Sequence, residues 1–235
     1  VGMHASRERA ALLLGCEPSE LAKHVGQAVK APIAPVVVPA TQAPCQEQVF
    51  YADDPDFDLR KLLPAPTNTP IDAGPFFCLG LVLASDPEDA SLTDVTIHRL
   101  CVQERDELSM FLAAGRHIEV FRKKAEEAGK PLPVTINMGL DPAIYIGACF
   151  EAPTTPFGYN ELGVAGALRQ KPVELVQGVA VQEKAIARAE IIIEGELLPG
   201  VRVREDQHTN TGHAMPEFPG YCGEANPSLP VIKVK

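Results

Sequence analysis

Apolar residues recur with helical spacing over the first thirty positions. SRERAALLLG (6–15) reads as one helix and EPSELAKHVGQAVK (17–30) as a second, with Leu21, Val25 and Val29 at steps of four. Glu17-Pro18-Ser19 supplies a helix start. The pattern then dissolves. Residues 31–48 are proline-rich around one short β-branched run, and residues 51–75 are rich in Asp and Pro, so a domain boundary is expected near residue 70.

From residue 76 the spacing becomes that of strands. FFCLGLVLAS (76–85) is a continuous apolar run, and VTIHRLCVQ (95–103) alternates. ELSMFLA (107–113) fits strand or helix. RHIEVFRKKAEEA (116–128) is a helix with Ile118 and Phe121 on one side and Gly129 and Pro131 as its stop. PVTINMG (133–139) is a strand, and DPAIYIGACF (141–150) and ELGVAGALRQ (161–170) are short helices. VELVQGVAV (173–181) and EIIIEGEL (190–197) are strands, the second ended by Pro199-Gly200, and LPVIKVK (229–235) alternates like a strand. TNTGHAMPEFPGYCG (209–223) reads as neither helix nor strand, but as a loop with a tightly specified path. The whole is a mixed α+β chain with a predominantly antiparallel second half.

Composition narrows the picture. With 235 residues, 46% hydrophobic and 22% charged, the chain can bury a substantial core. A net charge of −10 makes it a poor fit to nucleic acid or an anionic membrane. No apolar run is long enough for a membrane span, and the first residues do not read as a signal peptide. The cysteines form no CxxC pair and read as buried thiols, which fits a reduced, cytoplasmic setting. A start at Val1 and an alternating strand at the other end are read as marks of a piece of a longer protein.

Glu217 stands between Pro216 and Phe218, with Met215, Pro219, Gly220 and Tyr221 around it. An apolar, restricted loop would raise its pKa and keep it protonated, as a general acid requires; the alternative is a solvent-facing Glu whose neighbours pack. His117 follows Gly115-Arg116 and opens a helix, where free N–H groups and the positive dipole end favour an anion such as phosphate. Asp94 precedes a strand and Arg99 lies within it. Their odd spacing puts them on opposite faces, so a shared site would need Asp94 in the preceding turn. Glu161 opens an apolar helix, either as a favourable helix-start charge or as a ligand. Together Asp94, His117 and Glu161 offer the O, N, O donors that suit a hard divalent cation. Glu190, Glu194 and Glu196 read as a solvated strand side. No GxxxxGK[ST], GxSxG, HExxH or GxGxxG motif occurs.

The order of these pieces resembles the UbiD family of decarboxylases. SRERAALLLG is similar to its SRER-type helix, DAGPFF (72–77) to its D-G-GP strand, and DVTIHR (94–99) to its N-x-G-M-Y-R element. GRHI (115–118) is similar to its G-x-H-I element, and NELGVAGALRQKPVELV (160–176) to its E-x-x-x-A-G-x-L-x-G-x-P-x-E-L-V run. RAEIIIEGEL is similar to its AEIVIEGE strand. PEFPGY (216–221) falls on its GPFGE-x-x-GY loop, with Glu217 on the terminal glutamate. The loop TNTGHAMPEFPGY looks most like the hydroxyarylic-acid branch.

The resemblance implies a split β-barrel (flavin-reductase-like) central domain at 71–235, preceded by the remainder of an N-terminal α/β domain at 1–70, with a further C-terminal domain beyond the chain. It implies a carboxy-lyase acting reversibly on hydroxybenzoate-type aromatic acids. The cofactor would be prenylated FMN, supplied by a flavin prenyltransferase and held through Mn2+ (or Mg2+) and K+. The full-length form would be a homo-oligomer. Asp94, His117 and Glu161 would bind the metal, and Ile97, His98, Arg99, Arg116 and His117 would line the cofactor. Arg99 would also face the substrate carboxylate, and Glu217 would return the proton after CO2 leaves. Two positions depart from the family pattern. Asp94 stands where the family has an amide, and Gly212 stands where many members carry a second glutamate. The Glu-Arg-Glu network is therefore expected to be incomplete, with His213 or a residue outside the chain standing in. Other readings of the same chain are a flavin- or phosphate-binding structural module and a flavin-reductase-like redox protein; NAD(P)H oxidation would mark the latter.

Overall fold

A computed structural model describes residues 3–113, 115–150 and 153–235. The chain opens with α1 (Arg7–Leu14) and α2 (Leu21–Lys30). The Ser6 hydroxyl accepts the Arg9 N–H at the start of α1, and Gly15 ends it at φ 71°, a left-handed conformation that glycine adopts without strain. After β1 (Val36–Val37) and α3 (Leu59–Leu62) come β2 (Phe76–Ser85), β3 (Thr93–Glu104) and β4 (Glu107–Met110). Then follow α4 (His117–Glu127), β5 (Leu132–Met138), α5 (Pro142–Gly147) and α6 (Leu162–Arg169). The remaining strands are β6 (Glu174–Gln177), β7 (Lys184–Ile186), β8 (Ile191–Val203), β9 (His213–Phe218), β10 (Tyr221–Glu224) and β11 (Leu229–Val234).

Six strands close a barrel in the order β11-β4-β3-β2-β5-β8, with every neighbouring pair antiparallel. Strand β2 is a continuous apolar run because both its faces are covered. Val82 and Ala84 point into the barrel with Leu100, Val102, Leu108 and Ile136, and α4 plugs that core with Ile118, Phe121 and Ala125. Leu81 and Leu83 point outward against Ile144, Leu162, Ala165 and Ile186. Helices α1 and α2 extend this outer layer by packing on α5 and α6 through Leu14, Ala28, Ala143, Val164 and Leu168. Strand β1 joins β6 in parallel, and β6 pairs β7 in antiparallel.

Five sequence expectations are changed or decided. The 209–223 segment is a β-hairpin, β9 and β10 turning at Pro219-Gly220 with Gly220 at φ 83°. The strand expected over 173–181 stops at Gln177, because residues 179–181 wrap over Glu194. That carboxylate accepts the N–H groups of Val179, Ala180 and Val181 at 2.8, 2.6 and 3.0 Å, so Glu194 is a turn clamp rather than a solvated strand residue. Pro199-Gly200 does not end β8. A bulge in β8 absorbs it, residues 198–201 standing opposite Val231 of β11, and pairing resumes at Arg202 and Val203. The ambiguous 107–113 stretch is a strand only as far as Met110.

Candidate active site

Strand β3 carries residues of two separate centres. Asp94, Thr96 and His98 share its buried face, while Ile97 and Arg99 are half-buried on the other. Asp94 is the second residue of the strand, paired with Ala84, rather than part of the preceding turn. The odd step therefore does separate Asp94 from Arg99. Five residues of strand put their Cα atoms about 16 Å apart at the usual rise.

The first centre lies at the barrel end beneath α4. The Ile118 N–H, in the first turn of α4, donates to Asp94 Oδ2 at 2.7 Å. His117 opens α4 after Arg116, which is its N-cap in extended conformation, and the imidazole meets the Phe157 ring edge-on at 5.2 Å. Glu161 immediately precedes α6 and is buried, and its Oε2 finds no hydrogen-bond partner among the described residues. Asp94, His117 and Glu161 each offer one ligand atom, and these atoms all lie within 4.8 Å of one another. Burial raises the Asp94 carboxyl, against the Ile118 hydrogen bond and the nearby His117 and Arg116 charges. Burial, together with the Asp94 charge, pushes Glu161 up to about 8. Two carboxyl groups face an imidazole in low dielectric, and one keeps an oxygen with no partner among the described residues. The donor set fits a hard divalent ion.

His98 does not join this centre through its side chain. Its ring is buried in the barrel, with Nδ1 3.0 Å from the Phe111 carbonyl and Nε2 2.6 Å from Thr96 Oγ1. A carbonyl only accepts, so Nδ1 carries the proton and Nε2 accepts the Thr96 hydroxyl. Both nitrogens are committed, and His98 could line a cofactor only through its backbone.

The second centre is built on Arg99. Between the pairs Phe77–Leu100 and Gly80–His98, strand β2 places Cys78 and Leu79 opposite the single residue Arg99. This bulge re-aims the side chain there. Glu205 takes Arg99 side-on, with Nε to Oε1 at 2.8 Å and Nη2 to Oε2 at 3.0 Å. Glu217, on β9, accepts Nη1 at 2.9 Å. The Phe111 ring lies under the guanidinium, 4.1 Å from Cζ to the centroid.

Glu217 is not enclosed as the sequence suggested. Its side chain is 43% exposed, in a hairpin that leaves the charged end open to solvent and gives it a guanidinium partner. Phe218 and Tyr221 stack beside it at 4.8 Å, and both are exposed. The network expected to be incomplete at Gly212 has its second carboxylate after all. Glu205 supplies it, and among the described residues the side-chain hydrogen bonds of Arg99 go to Glu205 and Glu217 rather than to His213. The only sequence signal was an acidic pair, Glu205-Asp206, directly after a strand.

An open cavity of about 530 Å³ lies around Glu217, lined by Ile71, Pro216 and the β9–β10 turn. A groove of about 500 Å³ between residues 44–63 and β8 touches neither centre.

Fold and site together define a closed antiparallel barrel with a carboxylate–imidazole donor cluster at its end and a Glu-Arg-Glu cluster on its flank. The chain belongs to the UbiD family: the model of the 3-octaprenyl-4-hydroxybenzoate carboxy-lyase Rift-related domain matches residues 36–235. It is 53% identical over 234 residues to gallate decarboxylase of Lactiplantibacillus plantarum, covering 99% of this chain and 48% of that protein. The apo structure of a 3,4-dihydroxybenzoic acid decarboxylase from Enterobacter cloacae superposes with a TM-score of 0.94 at 96% identity, covering 100% of this chain and 48% of that one. HmfF from Pelotomaculum thermopropionicum, a UbiD-class enzyme solved in an evolved dimeric form with prFMN, superposes with a TM-score of 0.88 at 34% identity, covering 99% and 51%. The chain spans about half the length of these relatives.

Proposed function

We propose that this chain is the cofactor-binding and proton-returning part of a carboxy-lyase that removes, and in reverse adds, the carboxyl group of hydroxybenzoate-type acids. The observation that carries this reading is the convergence of Glu205, Arg99 and Glu217 on the strand that also supplies Asp94. Asp94, His117 and Glu161 would hold Mn2+ or Mg2+ for prenylated FMN, a phosphate-bearing cofactor. Arg116 and the start of α4 favour the same anion. When bound, the prenylated flavin supplies the electron sink that decarboxylation of an aromatic ring needs.

The chain's own groups do the rest. Arg99 orients the substrate carboxylate by charge-assisted hydrogen bonds. Loss of CO2 from the carboxylate leaves a ring carbon short of one proton, and Glu217 delivers it. Exposure of Glu217 to solvent allows its proton to be replaced from water between turnovers. K+ accompanies the divalent ion, a flavin prenyltransferase supplies the cofactor, and the full-length protein is a homo-oligomer. Residues 71–235 are the cofactor-binding unit, and residues 1–70 are the end of the preceding domain.

The test uses the full-length protein co-expressed with a flavin prenyltransferase and supplied with manganese. Glu217→Gln should lower turnover of 3,4-dihydroxybenzoate by roughly 10²-fold or more, the usual weight of a general acid, while the bound flavin keeps its absorption spectrum. Wild-type rates in that variant would remove Glu217 from the proton-returning role.

A further inference from the structure

Each carboxylate donor at the barrel end follows a polar residue, Thr93 before Asp94 and Asn160 before Glu161, and these two polar residues bond to each other. Asn160 Nδ2 donates to Thr93 Oγ1 at 3.1 Å, and Asn160 Oδ1 accepts the N–H of Leu162, in the first turn of α6, at 3.1 Å. A backbone N–H only donates, so it fixes which end of the Asn160 amide faces Thr93. Neighbouring residues of a strand point to opposite faces, so the bond is made on the face of β3 away from Asp94. The three donors themselves come from three elements. Asp94 straps α4, and with it His117, to β3 through the Ile118 N–H. Glu161 has no such strap, since its Oε2 finds no partner among the described residues. Its backbone is backed only from the far side: a Cβ on Gly147 of α5 would stand 2.8 Å from the Glu161 carbonyl oxygen, and Tyr159 Oη donates to the Val29 carbonyl at 2.9 Å. Among the described residues, the Asn160–Thr93 bond is the hydrogen bond that joins the start of α6 to the start of β3.

Resting on the metal-centre reading above, we infer that Asn160 is the positioning residue of that centre: through Thr93 it sets how far Glu161 stands from Asp94. It acts through the backbone of its neighbour rather than as a ligand. Two buried carboxylates repel each other until a cation joins them, so the start of α6 needs a tether to β3 if the donors are to be in place before the metal arrives. With the bond gone, the start of α6 is free to draw back from β3. The donors then stand further apart, and the ion has to pull them together.

The inference is tested on the full-length, cofactor-loaded protein by its equilibrium affinity for Mn2+, read from the metal released as a competing chelator is titrated in. Thr93→Val removes the hydroxyl at nearly constant volume and leaves the cap on α6. It should weaken Mn2+ binding roughly tenfold or more, the usual weight of groups that orient metal ligands. Asn160→Ser keeps an oxygen for the Leu162 N–H but is too short to reach Thr93. It should cost the same, and it serves as the readout should Thr93→Val fail to fold. Thr93→Ser restores the hydroxyl and should bind as wild type does. The double variant is the sharper measurement. A shared bond can be lost only once, so Thr93→Val with Asn160→Ser should bind Mn2+ as each single variant does. Losses that add would make the two residues separate scaffold groups and overturn the inference. So would wild-type affinity in either folded single variant. Glu161→Ala, which removes a donor outright, is the control: Mn2+ held as tightly there as in wild type would instead remove the reading of the metal centre on which the inference rests.

Discussion

His98 is buried with its ring neutral, and burial holds its pKa down to about 4. The unfolded chain would protonate the same ring below about 6.5. Between these values the unfolded state binds more protons than the folded one, so folding stability rises with pH in that window. The stabilisation is fully present above pH 6.5 and is lost as pH falls toward 4, by up to about 3 kcal/mol at the usual 1.36 kcal/mol per pH unit. Denaturant unfolding between pH 4 and 7 should show this slope, and His98→Gln should flatten it. An unchanged slope in the variant would assign the acid sensitivity elsewhere. The same residue shows what is legible from sequence at this scale. Period-two alternation separates Asp94 from Arg99 correctly, because it depends only on the pleat. Which residues meet across the fold depends on register. Glu205 lies more than a hundred positions from Arg99, and the acidic pair it forms with Asp206 does not say which residue it meets.

At the scale of elements, apolar spacing predicts the barrel strands well because each is covered on both faces or alternates cleanly. It fails over 209–223, where prolines and glycines normally break structure. Here Pro216 sits in a two-stranded hairpin, where β9 pairs only with β10 and the register is irregular at its partner Cys222, and Gly220 serves the turn. Glycines elsewhere separate packing from propensity. A Cβ on Gly195 would meet Ile232 Cγ2 at 2.6 Å and the Lys233 carbonyl at 2.8 Å, across the seam where β8 and β11 close the barrel. A backbone oxygen cannot yield as a side chain can, so Gly195→Ala should destabilise by about 1–3 kcal/mol. It should also speed amide exchange along Val231–Val234. Gly26, inside α2, has nothing within 4 Å of its missing Cβ. Gly26→Ala should therefore stabilise by about 0.5–1 kcal/mol. Thermal melting of both variants checks the contrast, and equal shifts would show that the barrel seam tolerates a methyl group.

At the scale of the molecule, the fold sets two centres along one strand and gives them opposite environments. The barrel end is buried and rich in carboxyl groups, with an oxygen on Glu161 that has no partner among the described residues. The Arg99 flank is open, and its charges already satisfy one another. Retention of a metal-anchored cofactor should therefore depend on the first centre and not on the second. In the full-length protein loaded with manganese and prenylated FMN, Glu161→Ala should come off a desalting column without flavin. Removing one of the three donors leaves the metal an incomplete set of protein ligands. Glu217→Gln should retain flavin at the wild-type ratio and yet fail to turn over, since it alters only the flank. Asp94→Asn keeps the oxygen donor and removes one charge, so it should retain flavin more weakly than wild type. Absorbance and mass of the released cofactor measure all three. Flavin lost equally from Glu161→Ala and Glu217→Gln would mean that the two ends of β3 form one coupled site. Flavin kept by Glu161→Ala would take the barrel end out of cofactor binding altogether.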